Sequence, residues 1–243
     1  MERAKLIERT NYKPSAPCEE FIVPLLRKHI EHVLSNYGKP SKLNAIVLDV
    51  GCGSQPFRKE LEKLGYTYKS IDAQQNLEET VDTVWEIDKP LPNDLLSFAS
   101  FDFIFCTEVM EHVADWNIAF ENFAQLLAPG GKLFITCPHF YILHEEPYDF
   151  WRPTPYALKY FGDKYEFQIL HQVNAGDAWD VIGTAIASSY TIPASKRISD
   201  RIISKIVSIF HNFIYQVIAS RLLQSTINLH SSLYLSNIVV FQK

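Results

Sequence analysis

The sequence predicts an open α/β fold: a seven-stranded, mostly parallel sheet with helices on both faces and a helical insertion before the last strand. Three observations predict it. Short, nearly continuous apolar runs such as "AIVLDV", "FDFIFCTE" and "KLFITCP" recur along the chain, as in strands covered on both faces. Helical segments separate these runs, and strand–helix alternation builds a parallel sheet through crossover helices. The first run also passes directly into a glycine turn. "IVLDVGCGSQPF" ends a core strand on Asp49 and then discards two side chains in three positions, at Gly51 and Gly53.

The elements follow in order. "CEEFIVPLLRKHIEHVLSNYG" reads as an amphipathic helix ending near Gly38, with Pro24 expected to kink or interrupt it; residues 1–40 would form an N-terminal helical cap. A core over 41–175 begins with the strand "AIVLDV" and a short helix from Pro56 to Gly65, which Gly65 can stop. "YKSID", "TVWEI" and "FDFIFCTE" are the next strands, and a helix from Trp116 to Leu127 is broken by "PGG". "KLFITCP" is the fifth strand. In "TPYALKYFG", Thr154 can cap a helix, Pro155 suits its first turn and Gly162 its end. "EFQILHQV" is the sixth strand. Residues 176–230 form the insertion, and 231–243, with "SLYLSNIVVFQK", close the sheet.

The bulk properties bound the function. A chain of 243 residues suits one large domain or one domain with an insertion. It is 47% hydrophobic and 21% charged, enough for a full core. A nucleic-acid binder would show a basic excess, whereas the net charge is −5, so long DNA or RNA is not the expected partner. Cys18, Cys52, Cys106 and Cys137 form no CxxC pair and read as reduced residues of a cytosolic protein. "MERAKLIERTNYKPSAPCEEF" is charged and lacks an apolar core, so it is not expected to be a secretory signal. No run of about 18 uninterrupted apolar residues occurs, and no membrane-spanning helix is expected.

In open α/β sheets, ligands sit at the carboxyl ends of the strands. Gly51 and Gly53 would let the backbone approach a ligand there and adopt positive φ. The dinucleotide fingerprint has a third glycine where this chain has Pro56. Asp49 would also repel a pyrophosphate, though not an ammonium. "DVGCG" instead resembles the first motif of class I S-adenosylmethionine-dependent methyltransferases, whose Rossmann-like fold passes this turn under the amino-acid part of the cofactor. The resemblance covers about Val47 to Gln172 and its motifs fall in order. It implies that Asp49, Gly51, Cys52 and Gly53 hold the amino-acid end. Asp72, 19 residues past Gly53, would bind both ribose hydroxyls, because a carboxylate accepts two hydrogen bonds at once, with Ala73 beside it. "WEID" would contact adenine through Ile87 and Asp88, and Thr107 and Glu108 would complete the cofactor site.

Methyl transfer from a sulfonium is an in-line displacement, so the protein mainly aligns the nucleophile and removes its proton. Candidates follow the fourth and fifth strands: Glu111 and His112 of "ExxEH", then His139 and His144. Three roles fit ExxEH. His112 is a general base; or Glu108, Glu111, His112 and His139 hold a divalent metal, a set similar to that of small-RNA 2′-O-methyltransferases; or Glu111 and His112 only cap a helix and line the pocket. "HEEPYDFWRPTPYALKYF" resembles the corresponding region of type-11-like bacterial methyltransferases, which implies a small-molecule, glycan or glycolipid acceptor, with oxygen the expected atom. Tyr148, Trp151, Arg152 and Tyr156 would form its wall: aromatic rings stack on sugar faces and Arg152 can grip an anion with two bonds. The alternative for Trp151 and Tyr156 is anchoring the next helix. The alternative from another class is a non-catalytic cofactor-binding module.

In the insertion, "RISDRIISKIVSIFHNFIYQVIASRLLQ" repeats apolar pairs from Ile202 and Ile203 to Leu222 and Leu223 along one broad helical stripe. Something must cover it: the chain's own core, the pocket as a lid, a second copy in a homodimer, or a membrane surface. Lys196, Arg197, Arg201 and Lys205 cluster at the helix start, where anionic headgroups attract cations. The expected placement is cytoplasmic, with 196–223 as the candidate peripheral contact.

Overall fold

The computed structural model describes residues 12–93, 95, 100–189, 197–222, 224, 227 and 232–243. Its seven strands are β1 (Ile46–Val50), β2 (Thr67–Asp72), β3 (Thr83–Val84), β4 (Phe101–Thr107), β5 (Leu127–Pro138), β6 (Gln168–Ala175) and β7 (Ser236–Gln242). They lie in the order β3-β2-β1-β4-β5-β7-β6. β3, β2, β1, β4 and β5 pair in parallel, and β7 runs antiparallel to both its neighbours. Both faces of the sheet are covered. Buried residues such as Val47, Phe103, Phe105 and Val240 face α1 (Glu19–Asn36), α2 (Arg58–Lys63) and α5 (Ala178–Ser189). Leu48, Ile104 and Leu133 face α3 (Trp116–Leu126) and α4 (Pro155–Lys164).

Where element ends differ from the sequence reading, a local interaction decides. α1 runs unbroken through Pro24. The third strand stops at Val84 because the chain turns, with Lys89 N–H donating to Glu86 C=O at 3.0 Å, and that turn carries Ile87 and Asp88 inward. Gly65 ends α2 with φ +103 as expected. Gly162, by contrast, lies inside α4. It is small because α4 presses on β7: a Cβ there would sit 2.5 Å from Phe241 Cε1.

The insertion contributes α5 and α6 (Ile198–Ala219). α5 packs on α1 so closely that a Cβ on Gly183 would meet the Phe21 ring at 2.4 Å. α6 docks by a face that is polar over most of its length and ends on Ile218, buried in the core with Tyr215 and Ala219 packed beside it. Ser204, Ser208, His211 and Tyr215 are partly buried; His211 Nε2 lies 2.7 Å from Ile186 C=O, and the Tyr215 hydroxyl donates to Glu20 Oε2 at 2.6 Å. Up to Ile214 the apolar stripe points outward, with Ile206, Phe210 and Phe213 exposed by 50%, 65% and 66%. Among the described residues, Ser199–Ala219 is long and apolar enough to cross a membrane, by length and composition alone. Its charges are confined to the first turns. Lys196 and Leu223 lie outside the described residues.

Candidate functional site

A cavity of about 250 Å³ opens at the carboxyl ends of β1, β2 and β4, on the edge the glycine turn predicts. Gly51 and Gly53 take φ +65 and +50, conformations that L side chains rarely adopt. The amides of Gly51 and Cys52 both point to Ile71 C=O (2.9 and 3.2 Å), which folds the turn back over β2. Gly53 N–H donates to Asp72 Oδ2 at 2.9 Å, so the carboxylate expected for a ribose also fixes the turn beside it. Asp49, Cys52 and Ala73 line the same wall.

Asp49 is fully buried and accepts the Tyr68 hydroxyl hydrogen bond at 2.5 Å. Burial pushes its pKa up to about 7, the Tyr68 bond opposes that rise and Asp72 adds to it. A carboxyl poised there gains most when a cation arrives. Burial likewise pushes the Cys52 thiol up, followed by the charges of Asp49 and Asp72, which keeps it an unreactive lining residue. On the far wall, Ile87 and Asp88 are buried, and Asn122 fastens their loop by donating to Ile87 C=O at 2.6 Å and Lys89 C=O at 2.8 Å. Asp88 Oδ2 also accepts from Asp115 N–H at 3.2 Å. Thr107 and Glu108 complete this half of the cavity, with Glu108 at φ +53 accepting the Ser236 hydroxyl at 3.0 Å.

The ExxEH segment forms a 3₁₀ turn, Met110–His112, over the cavity floor. Glu111 and His112 line the cavity, and His144 reaches it from the loop after β5. His112 Nδ1 lies 2.9 Å from Tyr148 C=O, and His112 Nε2 lies 3.2 Å from His144 Nε2. Glu111 is 1% exposed, and neither of its carboxylate oxygens has a hydrogen-bond partner. Burial, then the charge of Glu108, holds its carboxyl well above the ordinary range.

Four expected roles are corrected. His139 is turned away from the cavity: its N–H continues the strand pairing to Leu235 C=O at 2.7 Å, its Nδ1 lies 3.0 Å from Pro153 C=O, and its ring stacks on Tyr234. Arg152 has no free fork for an anion, because both terminal nitrogens bind Asp149, at 2.6 and 2.7 Å. Burial works against charge on Asp149, yet the Arg152 bonds and the His144 amide keep its carboxyl below the ordinary value. Trp151 donates its indole N–H to Val113 C=O at 2.9 Å, and Tyr156 is 81% exposed on α4. Tyr148, Trp151 and Arg152 instead shape the loop that carries His144, and neither they nor His139 and Tyr156 line the cavity. No residue of 176–230 lines it either, so among the described residues the lid reading of the insertion has no contact behind it.

Sequence reasoning missed the residues that close the cavity. Ile22, Val23 and Leu26 come from α1, Tyr12 precedes it, and Tyr141 comes from the β5 loop. The apolar face of α1 was readable as a stripe, but a stripe does not say which surface it covers.

Residues 25–163 match a family described as "Methyltransferase domain". Among curated proteins, the human mitochondrial ubiquinone biosynthesis O-methyltransferase is 31% identical over 145 residues, 53% of this chain and 38% of that protein. The ubiquinone biosynthesis O-methyltransferase of Coxiella burnetii (strain Dugway 5J108-111) is 32% identical over 123 residues, 47% of this chain and 50% of that protein. The chain thus spans half or less of these relatives' length. Among solved structures, a SAM dependent methyltransferase from Archaeoglobus fulgidus superposes with TM-score 0.55 at 13% identity, covering 89% of this chain and 94% of that one. Haemonchus contortus phosphoethanolamine N-methyltransferase 2, in complex with S-adenosyl-L-methionine, gives 0.53 at 16% identity, covering 89% of this chain and 52% of that one. At such identities the likeness establishes the fold.

Proposed function

Because this chain belongs to the methyltransferase-domain family, we propose that it transfers a methyl group from S-adenosylmethionine to a hydroxyl of a small-molecule acceptor. One observation carries the reading: the Gly51–Gly53 turn with Asp49 and Asp72 shares a single cavity with Glu111, His112 and His144. The first group suits the cofactor, with Asp49 facing its ammonium and Asp72 its ribose. The second suits a hydroxyl that must lose a proton. As the acceptor oxygen attacks, the O–C bond forms, the S–C bond breaks, and the sulfonium leaves as the neutral thioether S-adenosylhomocysteine. The hydroxyl proton departs at the Glu111–His112–His144 cluster. The names of the relatives favour oxygen, as does a pair of imidazoles beside the reaction space. Incubating the chain with methyl-labelled S-adenosylmethionine and a panel of catechols, quinols, sugars and glycolipids tests this. Label on a carbon-bound oxygen is expected; S-adenosylhomocysteine binding without transfer to any acceptor supports a non-catalytic module instead.

Asp49 makes the cofactor site pH-sensitive. Its pKa in the free protein is about 7, and the cofactor's ammonium requires the ionised form. Affinity for S-adenosylhomocysteine is therefore expected to fall as pH drops below 7, by about tenfold per unit once the carboxyl is mostly protonated. Asp49→Asn should bind more weakly and lose the slope. Calorimetry between pH 5.5 and 8 decides; a flat wild-type profile removes the ammonium contact.

A second reading concerns where the acceptor is met. The outward apolar stripe of α6, with exposed Arg197, Arg201 and Lys205 at its start, suits an anionic bilayer surface. The same end of α1 that carries Tyr215's partner Glu20 lies beside the cavity residues Ile22 and Val23, so docking there would bring the cavity near the lipid. This supports a glycolipid or other lipid-linked acceptor. The chain should float with phosphatidylglycerol vesicles and not with phosphatidylcholine alone, and Ile206→Asp with Phe213→Asp should abolish flotation. A vesicle-free dimer broken by the same substitutions would assign the stripe to a second copy.

A further inference from the structure

We infer that Tyr68 is a positioning residue of the cofactor site: its hydroxyl orients the Asp49 carboxylate and stabilises its charge, so that the carboxylate receives the cofactor's ammonium group. This deepens the cofactor half of the proposed transferase site and rests on that reading for its role, though not for its geometry.

The sheet register brings the two residues together. Asp49 and Tyr68 lie on the neighbouring parallel strands β1 and β2, where Val47 pairs with Tyr68 and Asp49 with Ser70. Tyr68 is thus the diagonal neighbour of Asp49, on a strand whose alternate residues share a face. Only a long side chain ending in a donor can cross that diagonal and bond a carboxylate. The Tyr68 hydroxyl does so, donating to Asp49 Oδ2 at 2.5 Å.

Packing does not account for that hydroxyl. Tyr68 is buried in the apolar cluster that holds Phe57 and Phe105, and phenylalanine would fill the same space. Burying an unpaired hydroxyl is costly, and burying an unpaired carboxylate more so. Each group is the other's answer, since among the described residues no second hydrogen bond reaches the Asp49 carboxylate. With Oδ2 engaged by Tyr68, Oδ1 is the oxygen left for a cation in the cavity that Asp49 lines.

The proton stays on Tyr68. Burial, then the charge of Asp49, push the hydroxyl far above its ordinary range, so it donates without ionising. Arg58 of α2 lies over the ring, 5.1 Å from its centroid, and its positive charge strengthens the donor. Glu62 Oε1 and Gln55 Oε1 hold Arg58 in place, at 2.9 and 3.1 Å. Gln55 follows the glycine turn and donates to Ser70 Oγ at 3.1 Å and Thr80 C=O at 2.8 Å. α2, β2 and the turn are thereby joined around the Tyr68–Asp49 bond.

The other titratable groups facing Asp49 do not replace Tyr68. Asp72 on β2 works against the Asp49 charge. Burial keeps Cys52 on the turn and Cys106 on β4 as neutral thiols. α1 presents the apolar Ile22, Val23 and Leu26 to the cavity.

The test uses the full-length chain and two readouts. The ¹³C carboxyl resonance of Asp49, assigned with Asp49→Asn, follows its titration without ligand. Calorimetry with S-adenosylhomocysteine between pH 6 and 8.5 follows binding. In Tyr68→Phe the Asp49 titration is expected to move up by at least about one pH unit, because the lost bond favoured the ionised form. Affinity should then fall about tenfold at pH 6 and less than about twofold at pH 8.5. Arg58→Met leaves Tyr68 in place and should move both curves the same way by less; it decides the matter if Tyr68→Phe does not fold. An Asp49 titration unmoved in these variants, or an affinity lowered equally at every pH, overturns the role of Tyr68 and leaves the transferase reading standing. A shifted titration with pH-independent binding removes the ammonium contact, and the role of Tyr68 with it. A wild-type chain that titrates at Asp49 but binds no S-adenosylhomocysteine overturns the transferase reading itself and leaves Tyr68 no cofactor to serve.

Discussion

Gly51→Val is expected to abolish measurable binding of S-adenosylhomocysteine, a loss of at least about 100-fold or 2.7 kcal/mol. Two independent effects add. Gly51 sits at φ +65, and a β-branched residue there is strained. Its Cβ would also lie 2.3 Å from Val109 Cγ2 and 2.8 Å from Val109 Cγ1. Val109 lies between Glu108 and the Met110–His112 turn, so relieving the clash displaces both halves of the cavity. Gly53→Ala is the control: φ is +50, but nothing lies within 4 Å of the new Cβ. It should lose far less affinity. Calorimetry with both variants, alongside their melting temperatures, separates a lost site from a lost fold. A Gly51→Val protein that binds within twofold of wild type would show that this turn is not the cofactor turn.

His112→Ala is expected to lower turnover by about 10²-fold or more, the usual contribution of a group that manages a proton in the transition state. Cofactor affinity should stay within twofold, because the glycine turn and Asp72 do not depend on His112. Alanine also removes the hydrogen bond to Tyr148 C=O, which helps hold the loop. His112→Asn addresses that by restoring a donor near the carbonyl while lacking the basic nitrogen. Both variants should be equally slow if the Nε2 lone pair does the chemistry. If Asn recovers most of the rate, His112 only positions the loop; if Ala keeps a near-normal rate, the cluster is not where the acceptor loses its proton.

The cofactor half of the site was legible because its signals are local. A strand ending on Asp49, two glycines needing positive φ, and Asp72 at the end of the next strand lie within 24 residues. Parallel pairing of β1 with β2 places Asp49 beside Ser70 and leaves Asp72 two residues further along. The acceptor half was legible only in its first member. "ExxEH" identified Glu111 and His112, but the partner histidine lies 32 residues on, and the choice between His139 and His144 is not local. Antiparallel pairing with β7 claims His139, whose backbone N–H binds Leu235 C=O. The Asp149–Arg152 pair then folds the loop so that His144 returns to His112.

Composition and periodicity alone determined that this chain forms a covered parallel sheet with a ligand site at its carboxyl edge. Apolar runs must be buried and glycine turns allow close approach, whatever the rest of the chain does. Tertiary structure alone decided which surfaces the amphipathic helices serve. α1 turned its stripe inward, onto the sheet and over the cavity. α6 has a stripe just as clear, yet Ser204, Ser208, His211, Tyr215 and Ile218 dock against the body and the apolar face from Ile202 to Ile214 is left outside. A helical period specifies that two faces differ. Which face packs depends on hydrogen bonds to distant partners, here Ile186 C=O and Glu20, that no local pattern encodes.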